Sequence, residues 1–168
     1  MITLEQLIAA LELKPHPREG GHFAETYRST LTLPSETMGG LFPGPRPAGT
    51  AIYYLLTPAG FSEMHRLPGD EIFHFYLGDP VEMLLLYPDG SGHTATLGTD
   101  ILAGMRPQIV VPSGVWQGAR LAPGGRFALL GATMAPGFDY ADYEAGARDE
   151  LLYLHPTFEE MIRALTRR

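Results

Sequence analysis

The chain has 168 residues, 45% of them hydrophobic and 18% charged, a composition typical of a folded globular protein rather than of a disordered segment. Acidic residues outnumber basic ones by 19 to 12, and Lys14 is the only lysine. This balance excludes the clustered positive charge that duplex nucleic acid requires. The sequence contains no cysteine, so disulfides, thiolate metal sites and a cysteine nucleophile are also excluded.

Length and hydropathy predict a single domain over residues 1–168, with no membrane span. The first apolar run is interrupted by Glu5, Gln6 and Glu12, unlike that of a secretory signal. Later runs such as Met83–Tyr87 are far shorter than the roughly 20 residues that cross a bilayer. We therefore expect a cytoplasmic protein with no membrane partner.

Short helices are predicted at both ends of the chain. Residues 1–14 carry an apolar stripe at helical spacing, and Thr3 and Gln6 have the spacing of a capping box. Residues 156–167 follow the same design, because Pro156 suits a first turn and acidic residues precede the arginines.

The middle of the chain, residues 22–134, has the pattern of an all-β protein. Apolar residues recur with a period of two, and turns rich in Pro and Gly follow about every 8–12 residues, which predicts a sandwich or a barrel. The stretch Leu33–Thr50 is predicted to be a long surface loop, either a cover for a cavity mouth or a tolerated insertion. The predicted strands are His22–Thr32, Ala51–Leu56, Phe61–Leu67, Glu71–Leu77, Met83–Tyr87, Thr94–Leu97, Gln108–Val111, Trp116–Leu121 and Phe127–Met134.

Two motifs resemble those of the cupin superfamily, the RmlC-like jelly rolls. Glu71 precedes Gly78 with the six-residue gap of the first cupin motif. PSGVWQ, residues 112–117, resembles the second motif, Pro-x-Gly-x-x-His, except that Gln117 replaces the final histidine. The first motif usually offers two histidines, and here only His65 has a counterpart.

More specifically, the chain is similar to the Cupin-5 family, a domain-of-unknown-function family (number 985), over nearly its whole length. The resemblance implies an all-β cupin-type double-stranded β-helix, a jelly-roll barrel with short N- and C-terminal helices, that has a pocket and is commonly a homodimer. It implies no agreed reaction. The family usually reads PHPEGG near the N-terminus, and here Arg18 stands before Glu19. The stretches that carry the resemblance are PHPREGGHFAETYRS (15–29), FSEMHRLPGDEIFHFYLGDP (61–80), VPSGVWQGARL (111–121) and APGFDYADYE (135–144).

Strand alternation sorts some of the candidate residues onto faces. In EIFHFYL, Glu71 and Phe73 share one face while His74 lies on the other. The resemblance implies that Glu71 points into the barrel, which directs His74 away from it. In FSEMHRL, His65 and Arg66 lie on opposite faces, so one of the two faces the cavity, and counting alone does not decide which.

One interpretation of this site is a divalent metal centre with His65, Glu71 and Gln117 as ligands. Imidazole, carboxylate and amide oxygen can together hold a first-row ion. However, a carboxamide is a weak neutral ligand, and a single histidine stands where cupins have three. The sequence therefore disfavours tight metal binding.

The favoured interpretation is a metal-free pocket for a small polar organic molecule, such as a sugar, a sugar nucleotide or an organic acid. If the pocket is catalytic, His65 and Tyr27 are predicted to act with Glu71 as base and acid in an epimerisation or isomerisation. The predicted ligand-binding residues are Glu25, Arg28, Arg66, Phe73, Trp116 and Gln117.

A third interpretation is a non-enzymatic ligand-binding or sensing dimer. Single residues also have purely structural explanations: Arg28 could pair with Glu25 on the surface, and Trp116 could be a core residue. The residues alone leave open whether the cofactor is a divalent metal ion or none.

Overall fold

Two antiparallel β-sheets pack face to face in the computed structural model, which describes residues 2–167. The six-stranded sheet has the spatial order β1 (Lys14–Pro15), β2 (His22–Arg28), β5 (Thr50–Leu56), β12 (Ala128–Met134), β7 (Glu71–Gly78) and β10 (Gln108–Val111). The five-stranded sheet has the order β13 (Glu144–Ala145), β6 (Phe61–Arg66), β11 (Trp116–Leu121), β8 (Val81–Leu86) and β9 (Gly92–Leu97). A separate ribbon pairs β3 (Thr32–Leu33) with β4 (Arg46–Pro47).

The predicted all-β class is confirmed, and every predicted strand is present with small shifts at its ends. The largest shift is in the first, since β2 ends at Arg28 and the chain resumes as β3 only at Thr32. The two sheets do not close into a continuous barrel, because β1 and β10 end one sheet and β13 and β9 end the other. The architecture is therefore a two-sheet jelly roll with open edges.

The core between the sheets follows from the period of two along the strands. In β7, Glu71 and Phe73 are buried, whereas Ile72 and His74 on the opposite face are only partly covered. In β8, every residue except Glu82 is buried, because helices cover its outer face as well. The inner cluster joins residues of both sheets and fills one end of the sandwich.

The N-terminal helix is shorter than predicted. α1 spans Leu4–Ala10, and its capping box between Thr3 and Gln6 is confirmed. The predicted start at residue 1 lies outside the described residues. The helix ends early because Glu12 takes a positive φ of 52° and the chain then enters β1.

The C-terminal part of the chain contains one more helix than predicted. The predicted segment 156–167 is a 3₁₀ turn at Pro156–Phe158 followed by α3 (Glu159–Ala164). An additional helix, α2 (Arg148–Leu154), precedes it. Both α2 and α3 bury apolar side chains against the outer face of the five-stranded sheet. Among residues 2–167, no helix combines the length and the apolar character that a membrane crossing demands.

The long segment between β2 and β5 is ordered by two anchors. Phe42 is buried, and the Arg46 guanidinium donates to both oxygens of Asp142 at 2.7 and 2.5 Å. Both side chains of this ion pair are only 4% exposed. The ion pair thereby holds this segment against the turn Tyr140–Asp142, which comes much later in the sequence.

Candidate functional site

One end of the sandwich is not filled by the core and encloses a cavity of about 250 Å³. Apart from Thr50 at its end, the long segment predicted as a cover contributes no wall among the described residues. The polar residues that line the cavity are His16, Glu19, Glu25, Arg28, Thr50, His65, Glu71 and Tyr140. Its apolar walls are Phe23, Ile52, Leu67, Ala132, Met134 and Phe138.

The segment His16–Gly20 forms one wall because it lies directly against β6. The Glu19 carbonyl accepts from the Glu63 amide at 2.9 Å. Gly20 has φ +101° and no room for a Cβ beside the Phe61 carbonyl, so glycine is required at this close approach. The Ser62 hydroxyl donates to Oε1 of Glu19, which fixes this carboxylate at the cavity.

His16 is held as a neutral imidazole in this wall. Its Nδ1 accepts a hydrogen bond from the Glu19 amide at 2.8 Å, so the proton of the neutral ring is on Nε2. Burial lowers the pKa of His16, and the nearby charge of Glu19 opposes that shift. His16 therefore adds no positive charge to the cavity at neutral pH.

His65 presents one defined nitrogen to the cavity. Its Nδ1 lies 2.6 Å from the Glu63 carbonyl oxygen, and since a carbonyl can only accept, Nδ1 carries the proton. The ring stacks on Tyr143 with centroids 5.0 Å apart. Nε2 of the neutral ring is consequently a free acceptor, 4.0 Å from Oε2 of Glu19.

Glu71 is a buried carboxyl group at the inner end of the cavity. The Gln117 amide nitrogen donates to its Oε2 at 2.7 Å. Burial, reinforced by the charge of Glu19, raises the pKa of Glu71 to about 7, although His65 and the bond from Gln117 pull it down. Oε1 of Gln117 is buried and has no hydrogen-bond partner among the described residues.

Glu25 and Arg28 lie at the mouth of the cavity. The guanidinium donates to both carboxylate oxygens, at 2.9 and 2.8 Å, and also to the Phe138 carbonyl at 3.3 Å. Both side chains are more than a third exposed. The surface pair considered from the sequence is therefore present, and it borders the cavity at the same time.

Arg66 lies on the opposite face of β6 from His65, away from the cavity. Its guanidinium pairs with Glu144 at 2.8 Å and lies 4.5 Å from the centre of the Trp116 ring. Trp116 packs with the helices that cover the outer face of this sheet. His65 is therefore the cavity residue of the two, and the expectation that Arg66 and Trp116 line the pocket is corrected.

Tyr27 and Phe73 also lie outside the cavity wall. The register of β2 against β5 shifts between Glu25 and Tyr27, so Arg28 takes the position facing the cavity and Tyr27 is 57% exposed. Phe73 is 2% exposed within the inner core. The predicted acid and base, Tyr27 and His65, are not brought together.

Sequence reasoning missed the wall built by the PHPREGG segment. His16 and Glu19 belong to this stretch, which contributed to the family resemblance without being assigned a site role. Two adjacent glycines after a histidine and a glutamate were the available signal, since such a pair permits a close backbone approach.

The metal centre predicted from the sequence, with His65, Glu71 and Gln117 as ligands, stays a prediction. The Gln117 amide nitrogen donates to Glu71, and an N–H donor has no lone pair for a cation, so only Oε1 of this side chain is left as a ligand atom. Within residues 2–167, no group of three or more His, Asp or Glu side chains has an arrangement able to hold a metal ion.

Comparison with known proteins places this geometry in a family. The model of Cupin_5, described as "Cupin superfamily (DUF985)", matches residues 5–146. The chain belongs to the Cupin_5 family. The resemblance found in the sequence motifs is thereby confirmed.

Relatives of this Cupin_5 protein have names that assign no activity. It is 35% identical over 162 residues to Uncharacterized protein YML079W of Saccharomyces cerevisiae, covering 90% of this chain and 80% of the yeast protein. The crystal structure of protein SO0799 from Shewanella oneidensis superposes with a TM-score of 0.86 at 34% identity, covering 99% of both chains. A hypothetical protein from Leishmania major gives a TM-score of 0.88 at 30% identity, covering 99% of this chain and 100% of the other.

Proposed function

We propose that this Cupin_5 protein binds a small polar organic molecule in the cavity between its sheets. The observation that supports this is an enclosed volume of about 250 Å³ in which Glu19, His65 and Glu71 meet apolar walls, a combination usual in ligand sites. Such sites typically measure ~300–1,000 Å³. The cavity volume therefore suits a monosaccharide or a small organic acid, and the sugar nucleotide predicted from the sequence stays a prediction.

We also propose that proton transfer follows binding, as in an epimerase or isomerase. Nε2 of His65 can accept a proton from the ligand, because Nδ1 is committed to the Glu63 carbonyl. Glu71 has a pKa of about 7, and a group of such pKa can both give and take protons at neutral pH. In this proposal Glu71 takes the role of acid that the sequence suggested for Tyr27.

A binding or sensing role without turnover would use the same cavity. The homodimer predicted from the sequence remains a prediction, to be measured by sedimentation, and so does the cytoplasmic location.

Ala132→Leu tests whether ligands bind in this cavity. The larger side chain would project from β12 into the cavity between the sheets, and forcing a ligand beside it costs about 1–3 kcal/mol, or about fivefold to 150-fold in affinity. Calorimetric titration with monosaccharides and small organic acids would measure the loss. Tyr27→Phe is the matched control, because this exposed ring lies outside the cavity. Equal affinities for wild type and Ala132→Leu would rule out the cavity as the site.

His65→Gln separates catalysis from simple binding. If His65 is a general base, its loss lowers turnover of a bound ligand by about 10²–10⁴-fold while affinity changes little. Exchange of ligand hydrogens with solvent deuterium, followed by NMR, measures this directly. Wild-type protein that binds the ligand but shows no exchange above the protein-free rate would indicate a binder without proton transfer, and an exchange rate unchanged in His65→Gln would rule out His65 as the base.

A further inference from the structure

We infer that the ligand of this cavity carries a protonated amine, which binds at the inner end between Glu19 and Glu71. The inference rests on the proposed function, and it narrows the ligand to one chemical class: a small organic molecule with a primary ammonium group. Three features of the cavity support it, namely its hydrogen-bonding groups, its charges and its aromatic walls.

The inner end of the cavity offers acceptors rather than donors. In its neutral form His65 presents the lone pair of Nε2, because Nδ1 donates to the Glu63 carbonyl. Glu71 uses Oε2 for the bond from Gln117 and retains Oε1. Gln117, which donates to Glu71, is itself not among the residues that line the cavity. An ammonium group supplies three N–H donors for the acceptors of His65 and Glu71.

The charges that line the cavity are mainly negative. Glu19, Glu25 and Glu71 are carboxyl groups, and Arg28 is the single guanidinium among the described lining residues. Arg28 is already bonded to both oxygens of Glu25 at the mouth. A cation at the inner end is therefore attracted by Glu19 and by the ionised form of Glu71, and its binding favours that form, whereas an anion there would be repelled by both charges.

Aromatic rings form part of the wall of the same cavity. The His16 ring lies 4.8 Å from that of Phe23 and 6.0 Å from that of Tyr140, and Phe138 contacts Tyr140 at 5.0 Å. The electron-rich faces of aromatic rings attract organic cations. Neutral polyols also pack on such rings, but only a cation gains from both the rings and the carboxylates.

Three probes that share one ring test the charge preference: cyclohexylamine, cyclohexanol and cyclohexanecarboxylate. We expect cyclohexylamine to bind wild-type protein about tenfold or more tightly than cyclohexanol, with the carboxylate weakest, because only the amine is a cation at neutral pH. Glucosamine and glucose form a second pair, and comparison of their affinities tests whether the ligand is an amino sugar. Isothermal titration calorimetry at constant pH measures all five affinities.

Glu71→Gln and Glu19→Gln then locate the ammonium group. Each variant retains the size of the side chain and removes a charge, so the amine should lose about tenfold in affinity while the alcohol changes little. Glu144→Gln is the control, since this carboxylate pairs with Arg66 outside the cavity. Circular dichroism checks that each variant is folded.

The outcomes distinguish this inference from the proposed function. Tighter binding of cyclohexanol, glucose or the carboxylate than of the matching amine would overturn the ammonium inference and leave a ligand site. An amine preference unchanged in both Glu71→Gln and Glu19→Gln would overturn it as well. If none of the five probes binds, the inference and the proposed ligand site both fail.

Discussion

Asp142→Asn is expected to lower the free energy of unfolding by about 3–5 kcal/mol, because it leaves the buried guanidinium of Arg46 without its counter-charge. Both side chains are 4% exposed, and the pair is bidentate at 2.7 and 2.5 Å. The ion pair joins the long segment after β3 to the turn that carries Tyr140 in the cavity wall. Urea unfolding followed by circular dichroism measures the loss, as the change in midpoint at constant slope.

Glu144→Gln is the matched control for this experiment. It breaks a bidentate pair of the same chemistry, with Arg66, but here the side chains are 41% and 54% exposed. Exposed pairs contribute about 0–1 kcal/mol, so the control should unfold close to the wild-type midpoint. Equal destabilisation by Asp142→Asn and Glu144→Gln would contradict the expectation that a buried ion pair costs more to break than an exposed one. Replacing both partners by apolar residues, Arg46→Met with Asp142→Leu, should recover much of the loss.

Glu71→Gln is expected to change how stability depends on pH. In the folded protein the pKa of Glu71 is raised from 4.5 to about 7, so between these values the folded state retains a proton that the unfolded chain has released. The contribution of this group to stability is therefore fully present below about pH 4.5 and is lost as the pH rises to about 7. The total loss is roughly 3 kcal/mol, and glutamine, which cannot ionise, removes it.

The measurement is the difference in unfolding free energy between Glu71→Gln and wild type at several pH values. Taking the difference cancels the titration of all other carboxyl groups that the variant does not affect. Between about pH 4.5 and about pH 7.5, the unfolding free energy of the variant minus that of wild type should increase by roughly 3 kcal/mol. A difference that is flat with pH would show that Glu71 titrates normally despite its burial. Glu144→Gln again serves as the control for loss of a carboxylate.

The strands could be predicted from the sequence because burial on one face imposes a period of two. The family motifs then brought His65 and Glu71 to one cavity, with Gln117 bonded to Glu71 behind it. Helix α2 was missed for a physical reason: its first turn follows Ala147, which provides no side-chain cap. Its helical state depends on Leu151 packing against the five-stranded sheet, a contact between distant parts of the chain.

Side-chain direction was the limit of sequence reasoning at the site. Neighbours in a strand point to opposite faces, so Trp116 and Gln117 could not both line the cavity, and alternation alone already argued against the pair. The bulge in β2 is different, because strict alternation would put Tyr27 and not Arg28 beside Glu25. Such an irregularity depends on the pairing partner and leaves no clear mark in a single sequence.

The sandwich has a packed end and an open end, and single strands run through both. One part of such a strand therefore stabilises the core, and the other part lines the cavity. In β5, Leu56 belongs to the packed end and Thr50 to the open one; in β12, Leu130 and Met134 are divided in the same way. If the cavity binds the proposed ligand, substitutions at Thr50 and Met134 change the affinity for it while the residues that hold the two sheets together stay the same. A new ligand preference then requires substitutions only at the ends of these strands and none in the packed core.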